Sequence, residues 1–188
     1  DGDYALADLG SLRATPYRTS RDFLGHTDRD VVTASVSARH EGHRFSFTTT
    51  TGVANWQTKD ETDLDYSPLP LLRRRNDEKA TQVTEEVRLA SAANAPVALG
   101  RATLRWQAGL FLFSQQYDQN AVNTYSPFVL SPQFAFAVLE TSPAASLDDN
   151  GVGLYGRGTV TMGRVDVAVG ARLDHENKNA SIRSFFTP

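Results

Sequence analysis

Apolar and polar residues alternate one by one along several stretches of the chain. In segment 165–173, Val165, Val167, Val169, Ala171 and Leu173 interleave with Asp166, Ala168, Gly170 and Arg172. A period of two puts the first set on one face of a β-strand and the second set on the other. Segment 104–112 repeats the pattern, with Leu104, Trp106, Ala108, Leu110 and Leu112 opposite Arg105, Gln107 and Gly109. Segments 31–39, 43–54 and 152–162 do the same. So does 81–90, where Glu85 is the one residue on the wrong side. Valine, threonine and aromatics dominate all six, as strands prefer. No segment keeps a 3.6-residue period, so the pattern predicts an all-β chain with almost no helix.

The connections predict how the strands are joined. Glu41-Gly42 reads as a two-residue hairpin, Gly163-Arg164 as another, and a short stretch with Asn94 and Pro96 links the third and fourth segments. Between these lie long stretches at 58–80, 118–150 and from 177 onward, which read as loops. Short and long connections alternate strictly, as in an antiparallel up-and-down meander with one end trimmed. Transmembrane β-barrels show this asymmetry. A strand of about nine residues, tilted by about 40°, covers roughly the apolar band of such a barrel. Trp56, Phe111, Phe113, Tyr117 and Tyr155 fall near the long-connection ends and are expected in an interfacial girdle.

The opposite set of positions is charged. Arg39, Arg44, Glu86, Arg88, Arg105, Arg157, Asp166, Arg172 and Asp174 would all face inward. A narrow barrel must pair every such charge, whereas a wide or plugged lumen tolerates them. Six strands are too few to close a membrane barrel, and an open sheet in lipid would leave backbone groups unpaired. More strands are therefore expected from elsewhere.

Composition narrows the class. Apolar residues make up 40% of the 188. The longest apolar run is Phe134–Leu139, far short of the roughly 20 residues of a spanning helix. A formal charge of -3 argues against nucleic acid as a partner. The absence of cysteine removes disulfides, thiol catalysis and Cys-ligated zinc. The chain opens on Asp1-Gly2-Asp3-Tyr4 and stops at Phe185-Phe186-Thr187-Pro188, which reads as an internal piece of a longer protein.

Several motifs invite chemistry. Residues 151–156 match G-x-G-x-x-G, but turn residues precede them and a strand follows, the reverse of a dinucleotide site. The reading is therefore small residues within a strand. His40 and His43 flank a turn and could face each other, but only Glu41 accompanies them. Asp60, Glu61, Asp63 and Asp65 lack the glycine and glutamate of a calcium loop. They read as a solvated loop, with an irregular calcium site as the alternative. Arg73, Arg74 and Arg75 could capture an anionic ligand or lipid phosphates, or could pair with those acids. Residues 134–139 read as local packing, or as an apolar wall of a ligand mouth. Asn179-Ala180-Ser181 is a sequon without meaning in a bacterial host. No nucleophile elbow or comparable arrangement is present, so no catalytic residue, metal site or cofactor is expected and the chain does not read as an enzyme.

Gln82-Val83-Thr84-Glu85-Glu86-Val87-Arg88-Leu89-Ala90-Ser91 resembles a strand typical of TonB-dependent outer-membrane receptors. Residues 104–113, then Gly153-Leu154-Tyr155-Gly156, then 167–173 resemble the strands that follow it, in the same order. The likeness spans roughly residues 30 to 176. It implies that residues 1–188 are part of a barrel of about 22 strands with a plug inside, in the outer membrane of a bacterium. It also implies uptake of a scarce ligand such as a ferric siderophore, driven by the TonB complex through a region absent here. On that reading Arg44, Glu86, Arg88, Arg157, Arg172 and Asp174 line the lumen or meet the ligand. Arg73, Arg74, Arg75, Tyr66 and Tyr117 belong to extracellular loops that touch it. A porin-like channel or other outer-membrane barrel is the alternative, and a soluble β-sandwich binding module is a third.

Overall fold

The computed structural model describes residues 9–187, apart from 17, 20, 93, 128–130 and 135–136. A six-residue helix, α1 (Leu9–Ala14), precedes seven strands. These are β1 (His26–Glu41), β2 (Phe45–Asp63), β3 (Leu72–Ser91), β4 (Val97–Leu99), β5 (Ala102–Tyr125), β6 (Leu139–Met162) and β7 (Val165–Thr187). All pair antiparallel in one sheet of order β1-β2-β3-β5-β6-β7, with the short β4 beside β5. The up-and-down meander expected from the alternation is the observed topology. Residues 1–4 and Pro188, where the chain reads as cut, lie outside the described residues.

The strands are far longer than the alternation suggested, at 24 residues for β5 and β6 and 23 for β7. Segments expected as long loops are mostly strand: 58–63, 72–80, 118–125, 139–150 and 177–187. In Ser114–Thr124 nearly every residue is polar, so no face contrast marks the strand, yet its ladder with β3 runs on to Leu72↔Tyr125. Periodicity reports which face meets an apolar phase; it is silent where both faces meet water. The asymmetry survives in reduced form. The turns at one end are residues 42–44, 100–101 and 163–164, and the connections at the other are 64–71 and 126–138.

Two short turns follow from their glycines. Gly100 and Gly163 have φ of 65° and 62° and each precedes an arginine, between the pairs Leu99↔Ala102 and Met162↔Val165. Glycine at the first central position is what a type II′ hairpin requires. The β1–β2 turn holds three residues rather than the expected two, closed by the Gly42 amide on the Phe45 carbonyl at 2.9 Å. His43 lies in that turn and His40 pairs with Phe47, so the two histidines do not face each other.

The sheet has one layer. Among the described residues the buried apolar ones are Ala80, Ala92 and Ala121. On one face, an apolar band crosses all six long strands at 32–38, 45–53, 83–91, 102–112, 152–162 and 165–173, alternate residues counting. Register aligns these segments side by side, for example Val53↔Val83, Val87↔Leu110, Leu110↔Leu154 and Leu154↔Leu173. The band is uncovered: Val36 is 73% exposed, Leu154 58% and Val169 72%. Among the described residues no second layer packs on it. Glu85 sits within the band, its carboxylate accepting hydrogen bonds from the Thr49 and Thr51 hydroxyls.

Glycines on the opposite, polar face make room for side chains: Gly109 for the Tyr155 ring, Gly151 for the Phe113 ring and Gly153 for the Arg172 and Asp174 side chains. A Cβ at Gly109 would lie 2.3 Å from the Tyr155 ring. Gly109→Ala should therefore displace that ring and lower stability by about 1–3 kcal/mol. Gly156→Ala, whose added Cβ would stand 3.6 Å from its nearest neighbour, should stay within about 0.5 kcal/mol. Urea unfolding midpoints of the two variants check the difference.

Candidate functional site

The polar face carries the chemistry, in two tiers. The lower tier is set by two adjacent register rows. One runs Arg88, Gly109, Tyr155, Arg172 across β3, β5, β6 and β7; the next runs Glu86, Phe111, Gly153, Asp174. The Tyr155 ring lies across Gly109, so its hydroxyl reaches over β5 and donates to Glu86 Oε1. Arg172 Nε donates to both Asp174 oxygens at 2.8 and 2.9 Å, and its guanidinium stands 5.6 Å from the Phe111 ring centre. Gly153 leaves the space that this pair fills. Arg88 and Arg157 make no side-chain hydrogen bond or ion pair among the described residues.

The upper tier lies beyond the apolar band. Asn76 Nδ2 donates to Asp60 Oδ1 at 3.1 Å and to Glu78 Oε1 at 2.7 Å, and Gln119 Nε2 donates to Asn76 Oδ1 at 2.9 Å. Burial pushes the Tyr117 hydroxyl above its ordinary range, and the Glu78 carboxylate adds to the effect. Lys178 bridges Glu176 at 2.9 Å and Asp149 at 3.3 Å, and these acids raise its pKa.

The 64–71 connection is built by two aspartates. Asp63 is buried, and its Oδ1 accepts the Asp65 and Tyr66 amides, each at 3.0 Å. Burial raises its pKa despite those bonds. Asp65 is also partly desolvated, but hydrogen bonds from Ser67 and Leu72 outweigh this and hold its carboxyl low. Tyr66, at φ 53°, faces the Arg21 guanidinium at 5.4 Å.

The residues singled out from sequence are partly brought together. Glu86, Arg88, Arg157, Arg172 and Asp174 share the polar face, as do Arg39, Arg105 and Asp166. Arg44 does not, because it lies in the β1–β2 turn. The arginine run is strand, not loop: Arg73 and Arg75 project on one face and Arg74 on the other. Arg73 and Arg75 both clamp Glu61, the latter at 2.8 Å, and Arg73 stacks 4.5 Å over Phe23. Tyr117 is likewise on a strand, β5, and only Tyr66 sits in a loop. The four acids expected as one loop have separate partners, and no group of three metal-ligating side chains occurs among the described residues. The expected girdle is overturned: Trp56, Phe111, Phe113, Tyr117 and Tyr155 all stand on the polar face. Within the apolar band the aromatics are Phe45, Phe47 and Trp106, near the short turns, and Phe185 stands on the same face at the far end of β7. In the 134–139 run, Phe134 closes a 3-10 turn and residues 135 and 136 lie outside the described set.

Sequence reasoning missed the glycine seats under the rings and the Tyr155–Glu86 bridge. The glycine-rich run 151–156 was the available sign, since Gly151 seats the Phe113 ring and Gly153 the Arg172–Asp174 pair.

No family model matches the chain, and no curated protein matches it. Among solved structures, the ferric yersiniabactin uptake receptor FyuA from Yersinia pestis aligns with 85% of this chain at 11% identity and a TM-score of 0.44. The chain covers 26% of that receptor, about a quarter of its length. The membrane pore complex of pneumolysin aligns with 95% of the chain, covering 34% of its own, at 8% identity and a TM-score of 0.16. At such scores neither likeness bears on function.

The Glu61 clamp makes a pH prediction. Hydrogen bonds and charge from Arg73 and Arg75 lower the pKa of Glu61. A folded-state pKa below the unfolded one means stabilisation that is complete above the ordinary carboxylate range and lost as pH falls through the folded value. Glu61→Gln should remove that dependence and speed tryptic cleavage after Arg73 and Arg75 at neutral pH, read by mass spectrometry. Equal cleavage in both proteins would count against the clamp.

Proposed function

We propose that this chain forms part of the wall of a β-barrel in a bacterial outer membrane, and that the barrel is a receptor taking up a scarce ligand such as a ferric siderophore. One observation carries the membrane reading. An uncovered apolar band, 7 to 11 residues tall on each strand, crosses six neighbouring strands in register. Beyond it the strands continue with both faces polar. A transmembrane β-strand needs about 9–11 residues. A band of this height, bounded by a wet extension at one end and turns at the other, matches a strand that crosses lipid and rises into water.

The receptor reading is finer and rests on the polar face together with the resemblance of residues 82–91 and the strands after them. The interior-facing tier holds bulky aromatics and paired charges rather than a bare lining, which suits a lumen occupied by protein or ligand. The outer tier of Asn76, Glu78, Gln119 and Tyr117, with Arg74 on the same face, would contribute to the capture surface. The open edges of β1 and β7 would pair with further strands of the barrel, since unpaired ladder groups are costly in lipid. Transport would depend on the TonB complex acting through regions beyond these strands.

Substitution within the band tests the membrane reading. Val169 is exposed, so Val169→Arg on a soluble sheet should change stability by less than about 0.5 kcal/mol. On a lipid-facing strand near mid-band it should cost about 2–4 kcal/mol. Unfolding of vesicle-reconstituted protein separates the two, and a negligible cost would sink the membrane reading. The finer reading is tested in cells: deleting the gene should abolish uptake of at least one radiolabelled ferric siderophore. Unchanged uptake across a broad panel would remove the receptor assignment and leave the barrel.

A further inference from the structure

The sheet has a notch near its short-turn end. The β3–β5 ladder stops at Ala90↔Gln107, and β4 rejoins β5 only at Val97↔Leu104. In the gap the Trp106 amide turns to the Ser91 hydroxyl, which accepts at 3.1 Å. A cavity of about 270 Å³ opens there, whose lining includes Arg105, Trp106, Gln107, Arg157 and Thr159. Arg105, Gln107, Arg157 and Thr159 all project on the polar face, in the pairs Arg105↔Thr159 and Gln107↔Arg157.

The two arginines are diagonal neighbours across β5 and β6, so their Cβ atoms stand at most about 7–8 Å apart. Neither takes part in any ion pair or side-chain hydrogen bond among the described residues. Arg88 lies two positions before Ala90 on the same face and is likewise unpaired. The carboxylates of this face are engaged elsewhere: Glu86 by Tyr155 and Asp174 by Arg172. Asp166 pairs in register with Thr161, one row beyond Thr159 on the same face, and makes no ion pair there. The notch therefore gathers positive charge, with an amide and a hydroxyl beside it, and among the described residues no side-chain counterion meets it.

We infer that Arg105 and Arg157, with Gln107 and Thr159, form a binding site for a compact, multiply charged oxyanion of the phosphate type. Two guanidinium groups offer forked N–H donors that match tetrahedral oxyanions, and Gln107 and Thr159 supply neutral donors between them. The occupant relieves the repulsion between the two cations. Because the arginines point to the polar face, the occupant arrives from the aqueous side and not from the lipid around the band. The site rests on the polar face being hydrated, as the proposed lumen requires, but it needs no iron ligand.

Calorimetric titration of the full-length, detergent-solubilised protein with inorganic phosphate at low ionic strength tests this, with citrate and a short-chain phosphatidic acid as comparators. Phosphate should bind one to one and weaken at least tenfold in Arg105→Gln and in Arg157→Gln. Arg164→Gln, in a turn outside the cavity, should bind as the parent does. Circular dichroism confirms that each variant keeps its strand content. Binding that prefers phosphatidic acid would assign the cations to lipid and overturn the site, as would preference for citrate over phosphate. Absence of phosphate binding, or equal weakening in Arg164→Gln, would reduce the cluster to diffuse charge. Siderophore uptake is measured separately, so failure here leaves the receptor reading standing and failure there leaves this site standing.

Discussion

The main-chain ladder is the constraint on which this structure depends. Among the described residues the buried apolar ones are three alanines, which make no core to hold the strands in place. Register runs from Phe45↔Ser91 to Asp63↔Arg73 between β2 and β3, and from Thr103↔Thr161 to Tyr125↔Leu139 between β5 and β6. Each such hydrogen bond is worth about 0.5–1.5 kcal/mol net in water, because water competes for both partners. In hydrocarbon the competitor disappears and an unpaired group costs several kcal/mol. The same ladder that is weak support for a single-layer sheet in water becomes decisive in lipid. On the proposed reading, the fold and its environment depend on each other.

The two faces then divide the work. The apolar face needs only to be apolar: most of its band is Val, Leu and Ala, with Phe45, Phe47 and Trp106 near the short turns, and the charge of Glu85 is met by Thr49 and Thr51. The polar face needs particular neighbours. Tyr155 reaches Glu86 only because Gly109 lets its ring lie flat, and Arg172 meets Asp174 over the space that Gly153 leaves. Removing side chains from β5 and β6 thus lets contacts form between strands that are not adjacent. It links β3 to β6, and so stiffens the wall across its width without adding a second layer.

Legibility followed the same division. The strands were readable wherever one face was apolar, so the segments at 104–112 and 165–173 appear within β5 and β7 and the meander order holds. Their upper halves were not readable, because Gln115, Gln116, Asp118 and Asn120 show no contrast between faces. Of the six residues expected to face a lumen, Glu86, Arg88, Arg157, Arg172 and Asp174 share the polar face of the sheet, a placement that follows from parity alone. Arg44 failed because β2 begins at Phe45, two residues later than the alternation from 43 suggested, which leaves Arg44 in a turn of three residues. The aromatic girdle failed because the odd numbering shared by Phe111, Phe113, Tyr117 and Tyr155 puts all four on the polar face, and Tyr155 stands nearer the 163–164 turn than the long connection.

What the sequence by itself determined is the period, and with it the all-β class, the antiparallel order and the side of the sheet on which each residue stands. That information is local, since successive side chains on an extended backbone must point to opposite faces. Only the tertiary structure decided how far the strands run, which residues share a row, and where the ladder opens into a notch. Those are properties of pairs of distant strands: the Tyr155–Glu86 bridge spans 69 positions, and no periodicity within one segment records the partner against which it will lie.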